Sequence, residues 1–308
     1  EITLARLDQA VVRILRVKLR AGLFDAGLPS SRPLAGDYKR LGSESHRAVA
    51  REAVRKSLVL LKNNQQLIPL SPNQRILVAG TAADNIGQAS GGWTLSWQGT
   101  GNANSDFPNG ESILAGIRSA VAGSEGTVDY HPEGEFEVRP DVAIIVFGEQ
   151  PYAEFQGDRP HVDFTDNTGL ELLQKFKALN IPTVSIFISG RPLWVNPEIN
   201  ASDAFVAAWL PGTEGGGIAD VIMRNEQEKI NHDFIGRLSF SWPKKADHDV
   251  LSGENANYDP LFALGYGLSV TDGVSVEQLD ETQAETISDY HISNFLIAGA
   301  AVSPWRLV

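Results

Sequence analysis

Apolar positions along this chain follow two rhythms. Near the start, Leu4, Leu7, Val11, Ile14 and Leu15 recur at helical spacing and Gly22 follows, which predicts an amphipathic helix over 3–21 with a glycine stop. A second helical pattern, with Val49, Ala53, Leu58 and Leu61 on one face, predicts a helix from about 43 to 61. Beyond it lie apolar, β-branched runs of strand length at 75–80, 127–131, 141–148, 182–189, 204–210 and 237–242. Helical patterns separate several of them: Leu114, Ile117 and Val121 within 111–121, and Leu170, Leu173 and Phe176 within 169–179, the latter behind a Thr168-x-x-Glu171 capping box. Strands that alternate with helices, and that are too uniformly apolar to have a wet face, predict a doubly wound, six-stranded, mostly parallel α/β sandwich.

The segments outside this pattern divide the chain. Residues 27–42, with Pro29, Ser30, Ser31, Pro33 and Gly36, have the composition of an interdomain linker. The main domain is expected over 43–269. The stretch 270–287 is acidic and weakly periodic, a second linker, and Phe295-Leu296-Ile297-Ala298 is expected to open a β-rich module within 270–308. The chain begins Glu1-Ile2-Thr3-Leu4 and stops within a new apolar segment at Ser303–Val308, so it is expected to be a piece of a longer protein.

Composition narrows the chemistry. A chain of 308 residues that is 42% hydrophobic and 21% charged belongs with globular proteins. Asp and Glu outnumber Lys and Arg 38 to 26, for a net charge of −12, which argues against a nucleic-acid partner. The longest apolar runs, such as 142–147, are far short of the roughly 18 residues of a membrane span. With no cysteine, disulfides, thiolate catalysis and Cys-ligated zinc are excluded. The histidines form no His-x-x-x-His pair, so no metal site is expected. Gly215-Gly216-Gly217 lacks a P-loop Lys-Ser/Thr, no Gly-x-Gly-x-x-Gly follows the first strand, and Ser189 lacks a Gly-x-Ser-x-Gly elbow. Neither a nucleotide cofactor nor a serine nucleophile is expected.

A doubly wound sheet gathers its site outside the carboxyl ends of its strands, and two connections there, 81–110 and 149–167, far exceed the usual 2–6 residues. The first carries Gly91-Gly92-Trp93-Thr94-Leu95-Ser96-Trp97-Gln98-Gly99. Two roles fit Trp93 and Trp97: anchoring a long loop, or stacking on the C–H face of a sugar ring. The second reads Gly148-Glu149-Gln150-Pro151-Tyr152-Ala153-Glu154-Phe155-Gln156-Gly157-Asp158, three carboxylates just beyond a buried strand. Partial desolvation and like charges there are expected to raise one carboxyl pKa, as a general acid requires. The spacing alone does not choose among Glu149, Glu154 and Asp158.

Taken in order, Ser57–Asn63, Gly91–Gly99, Gly148–Asp158, Ser189-Gly190-Arg191-Pro192, Ala207-Ala208-Trp209-Leu210-Pro211-Gly212 and Asp259–Leu268 resemble the family 3 glycoside hydrolases, most closely the plant and bacterial exo-1,3/1,4-β-glucanases. The resemblance runs from the first helix to about Val270. It implies that 1–26 is the closing helix of a preceding TIM-like barrel, and that the active site lies between barrel and sandwich. It further implies that Glu154 is the acid/base, that Trp97 is one jaw of an aromatic clamp on the second glucose, and that Glu149 and Asp158 support the loop or tune Glu154. An aspartate nucleophile would come from a barrel Ser-Asp-Trp motif absent here; Ser202-Asp203-Ala204 starts a strand at the opposite edge. Expected partners are a β-glucan or a cello- or laminari-oligosaccharide and the barrel domain, with no cofactor and a secreted or periplasmic location. The rival reading is a non-catalytic carbohydrate-binding or scaffold domain.

Overall fold

The structure, a computed structural model, describes residues 2–159, 161–247 and 258–282 and the backbone of 296–297 and 300–301. Two compact units divide the chain, 1–47 and 48–308. In the first, helix α1 (Leu4–Arg20) is capped by the Thr3 hydroxyl, which accepts from the Arg6 N–H, and ends before Gly22 at φ 67°. Short 3-10 turns at Pro29–Ser31 and Tyr38–Arg40 punctuate the segment that follows.

In the second unit a six-stranded sheet has the order β1-β6-β5-β4-β2-β3, from β1 (Val59–Asn63), β2 (Arg75–Ala79), β3 (Thr127–Tyr130), β4 (Val142–Gly148), β5 (Thr183–Ile188) and β6 (Ala204–Trp209). Every pairing is parallel except β1 with β6. The helices are α2 (Glu44–Ser57), α3 (Ile86–Ser90), α4 (Ile113–Val121), α5 (Thr168–Ala178), α6 (Asn196–Ala201) and α7 (Gly216–Ile222). Alternation within β4 explains the two cores. Val142, Ile144 and Val146 pack in a core with Leu114 and Ile117 of α4 and Ile218 and Ile222 of α7. Ala143, Ile145 and Phe147 pack in another with Leu173 and Phe176 of α5, Ile199 of α6, and Trp242. Each fully buried large side chain here, such as Phe176, Phe187, Phe205 or Trp242, contributes on the order of 1.5–3 kcal/mol.

The fold class is the expected α/β sandwich, with two strands reassigned. The helix expected over 43–61 stops at Ser57, and Val59–Asn63 is instead the antiparallel edge strand. Leu58, Val59, Leu60 and Leu61 are all fully buried, which a one-sided helix cannot achieve. The run 237–242 is not a strand of the sheet. It is extended against 262–266, with Leu238 N–H donating to Tyr266 O at 2.8 Å and Trp242 N–H to Phe262 O at 2.8 Å. Leu238 and Trp242 are buried while Phe240, which a regular strand would place on the same face, is 69% exposed, so the run lacks the two-residue burial pattern of a sheet strand.

The expected capping box on α5 is also absent. Asp166 Oδ1 accepts from Thr168 N–H at 2.9 Å and from its hydroxyl at 2.7 Å, so the acidic side chain upstream takes the capping role. Farther on, Leu296–Ile297 pairs antiparallel with Ala300–Ala301, and the rest of the expected β-rich segment lies outside the described residues.

Candidate active site

The loops that follow β2, β4, β5 and β6 all leave the carboxyl edge of the sheet, and those after β2 and β4 hold the candidate residues. After β2 the chain makes α3, capped by Asn85 Oδ1, which accepts from Gln88 N–H at 2.9 Å. Gln88 then donates to the carbonyls of Gly148 and Glu149 at 3.3 and 3.1 Å, tying α3 to the end of β4. Gly91 at φ 76° ends α3 and starts a tight loop in which Trp93 N–H donates to Trp97 O at 2.8 Å. Trp93 and Leu95 both take φ 59°, a costly conformation for bulky residues that gathers at functional loops. Glycine is required at 92, where a Cβ would stand 2.0 Å from Tyr152 O, because there the two loops touch backbone to backbone.

The second loop is anchored at its base by Glu149. Its carboxylate is buried and accepts from Arg191 Nε at 3.0 Å, Arg191 Nη2 at 2.8 Å and Gly190 N–H at 3.2 Å. Arg191 also donates to Gly157 O at 2.7 Å and lies over the Tyr152 ring, 4.3 Å from its centroid. Burial, and next the Glu149 charge, push the Tyr152 hydroxyl up to about 12, so it stays protonated. Asp158 is exposed, its backbone N–H donating to Phe155 O at 3.3 Å.

At the loop's tip, Glu154 meets the tryptophans. Its Oε2 accepts from Trp97 Nε1 at 2.8 Å and from Trp93 Nε1 at 3.2 Å. The indoles lie 6.3 Å apart at 50°, and Phe155 stands edge-on to Trp97 at 5.8 Å. Trp93 is 70% and Trp97 47% exposed, so each indole spends its N–H on the carboxylate and keeps ring face open to solvent. The structure thus brings Glu154, Trp93 and Trp97 together and sets Glu149 and Asp158 apart from them.

The electrostatics overturn one expectation. Glu154 is fully exposed, and the Trp97 N–H bond, with smaller contributions from its own backbone and from Trp93, holds its carboxyl below the usual value. Desolvation opposes this but is outweighed, and no neighbouring carboxylate contributes, Glu149 being paired with Arg191. The crevice between the ends of β2 and β4, about 310 Å³ and lined by Thr81, Gln88, Gln150 and Asp166, contains neither Glu154 nor a tryptophan. The long loops carry these residues past the crevice onto an open rim.

Gln98, Tyr152 and Arg191 complete the arrangement without having been assigned a role from sequence; the one signal was their place inside the motif segments. Among the described residues no cluster of His, Asp and Glu could hold a metal ion. Asp203 accepts from Thr183 N–H at 2.8 Å at the amino edge of the sheet, away from these loops.

Residues 58–270 match the family model described as the glycosyl hydrolase family 3 C-terminal domain. An exo-1,3/1,4-beta-glucanase from a Pseudoalteromonas species is 52% identical in sequence and superimposes with a TM-score of 0.88 over 92% of this chain and 36% of that one. A lysosomal beta glucosidase of Dictyostelium discoideum is 34% identical over 87% of this chain, and a periplasmic beta-glucosidase of Salmonella typhimurium 29% over 88%. This chain spans only 34% and 41% of the length of those two relatives. It belongs to glycoside hydrolase family 3, and residues 58–270 are that family's C-terminal domain.

Proposed function

We propose that this chain supplies the general acid/base, Glu154, to a retaining exo-hydrolase that releases glucose from the non-reducing end of β-1,3/1,4-glucans and their oligosaccharides. One observation carries the reading: a carboxylate on an open loop tip, gripped by the N–H groups of two indoles whose faces remain exposed. A retaining glycosidase needs a second carboxyl group about 5–5.5 Å away. We assign it to an aspartate on a preceding barrel domain, with 1–26 as that domain's closing helix, 27–42 as linker, 43–269 as the sandwich domain and 270–308 as the approach to a further module. Trp97, with Trp93 beside it, then stacks on the sugar that departs. Glu149 holds the loop through Arg191, and Asp158 plays a supporting part. The relative named periplasmic and the polymeric substrate favour a secreted or periplasmic location.

The depressed resting pKa fits this cycle. A nucleophile carboxylate brought within about 5.5 Å raises the Glu154 pKa, so that it protonates the departing glycosidic oxygen. Once the nucleophile is esterified its charge is gone. The two indole donors then favour the ionised carboxylate, which is the base that activates water in the second step. A non-catalytic sugar-binding face would use the same open indoles but leaves the doubly bonded carboxylate without a task.

The test is Glu154→Gln in the full-length protein. We expect kcat/KM to fall by about 10²–10⁴-fold on cello- and laminari-oligosaccharides and by far less on aryl glucosides with acidic leaving groups, which need no proton. An equal loss on both classes contradicts the assignment.

A further inference from the structure

Glu154 sits in a stretch, 149–167, with no helix or strand of its own, and the next residue, Phe155, takes φ 72°. Locally a turn shapes the backbone from which the carboxylate projects, with Gly157 N–H donating to Ala153 O at 2.8 Å and Gln156 N–H to Glu154 O at 3.0 Å, but these bonds do not tie it to the tryptophan loop. A side chain from that loop does so. Gln98 Oε1 accepts from Ala153 N–H at 2.7 Å while Gln98 Nε2 donates to Glu154 O at 3.0 Å. One planar amide thus spans the N–H before Glu154 and the carbonyl after it. These complementary partners also fix which end of the amide faces which group.

We infer that Gln98 is a positioning residue for the acid/base, locking the register between the Glu154 backbone and the Trp93–Trp97 loop; this rests on the reading of Glu154 given above. Among the described residues, the other side-chain tie to the backbone of 150–158 is Arg191 to Gly157 O, on the far side of the turn. Gln98 directly follows Trp97, whose indole N–H grips the same glutamate at 2.8 Å. The brace therefore sets the distance between the stacking face and the proton donor as a unit. Length matters as well as polarity: a shorter side chain cannot reach both groups, and an isosteric apolar one leaves the N–H of buried Ala153 unpaired.

Gln98→Met and Gln98→Glu in the full-length protein test this. Methionine keeps the volume and loses both bonds. Glutamate keeps an acceptor for Ala153 N–H but sets a charged oxygen against Glu154 O. The readout is the ratio of kcat/KM on laminari- or cello-oligosaccharide to kcat/KM on a dinitrophenyl glucoside, which is independent of how much enzyme is folded. A positioning role lowers this ratio by about 10–100-fold in Gln98→Met, as expected for a shift on the order of 1 Å. Gln98→Glu should show the same loss, and its alkaline pH limb should move upward because the added charge opposes ionisation of Glu154. A purely structural role lowers thermal stability and leaves the ratio unchanged, which overturns the inference. Glu154→Gln measured alongside separates the two levels: if it lacks leaving-group dependence the reading of Glu154 fails, and if it shows that dependence while Gln98→Met does not, only the role of Gln98 fails.

Discussion

Adding one methyl group at Gly92 should cost most of the activity without touching a charged or aromatic side chain. An ideal Cβ there stands 2.0 Å from Tyr152 O and 2.7 Å from Tyr152 C, both backbone atoms that cannot rotate away. An ordinary contact of about 3.5 Å requires the two loops to separate by roughly 1.5 Å. The bonds from Trp97 and Trp93 to Glu154, now 2.8 and 3.2 Å, would stretch beyond hydrogen-bonding reach. The Gln98 clasp at 2.7 and 3.0 Å would open with them. Misplacement of this size is worth on the order of 10²-fold in rate, whereas overpacking at the rim of the domain costs about 1–3 kcal/mol of stability. The assay is kcat/KM of full-length Gly92→Ala on laminari-oligosaccharides, with the unfolding midpoint measured in parallel. A folded variant within threefold of the parent would refute the claim that loop-to-loop contact sets the catalytic geometry.

Other perturbations probe separate parts of the account. Trp97→Phe keeps an aromatic face but removes the stronger N–H donor, so the Glu154 pKa should rise and the alkaline limb of kcat/KM should move to higher pH; a downward shift contradicts the proposed origin of the depression. Arg191→Ala leaves the Glu149 carboxylate, 8% exposed, without its main partner and should cost about 2–4 kcal/mol, read as a lowered unfolding midpoint. Burial lifts Glu198 from 4.5 to about 7, so the folded protein holds a proton that the unfolded chain releases; stability from this group is intact below about pH 4.5 and is lost as pH rises to about 7. Glu198→Gln should therefore gain on the order of 2–3 kcal/mol relative to the parent at pH 8 and nothing at pH 4, and an equal effect at both pH values contradicts that origin.

Strand β4 was legible because Val142 through Gly148 are apolar or small at every position and two faces need covering. Strand β1 was not, since Leu58 and Leu61 happen to continue the helical period of α2, and only the burial of Val59 and Leu60 between them breaks it. The run at 237–242 misled for another reason: its apolar residues alternate in sequence, but Phe240 is exposed between buried Leu238 and Trp242, an outcome set by what the tertiary fold places against each side chain. Within the site, long loops beyond buried strands pointed to the two segments that meet. Their contact did not follow from spacing, because Trp93 and Glu154 are 61 positions apart and Trp97 and Glu154 57. The pKa direction was misread because indole N–H donors reach Glu154 from the other loop and outweigh its desolvation, while Glu149 is paired with Arg191 from a third loop. Gln98 carries no sequence signal for its clasp, which exists only once the loops dock.

The most direct measurement is azide rescue of Glu154→Ala in the full-length protein, acting on an activated aryl β-glucoside. Azide needs no general base and fits the space that the carboxylate vacates, so it should restore turnover and give the β-configured glucosyl azide, the product of a retaining double displacement. An α-configured azide would make Glu154 the nucleophile, and no rescue would remove it from the reaction; either result contradicts its place as the acid/base.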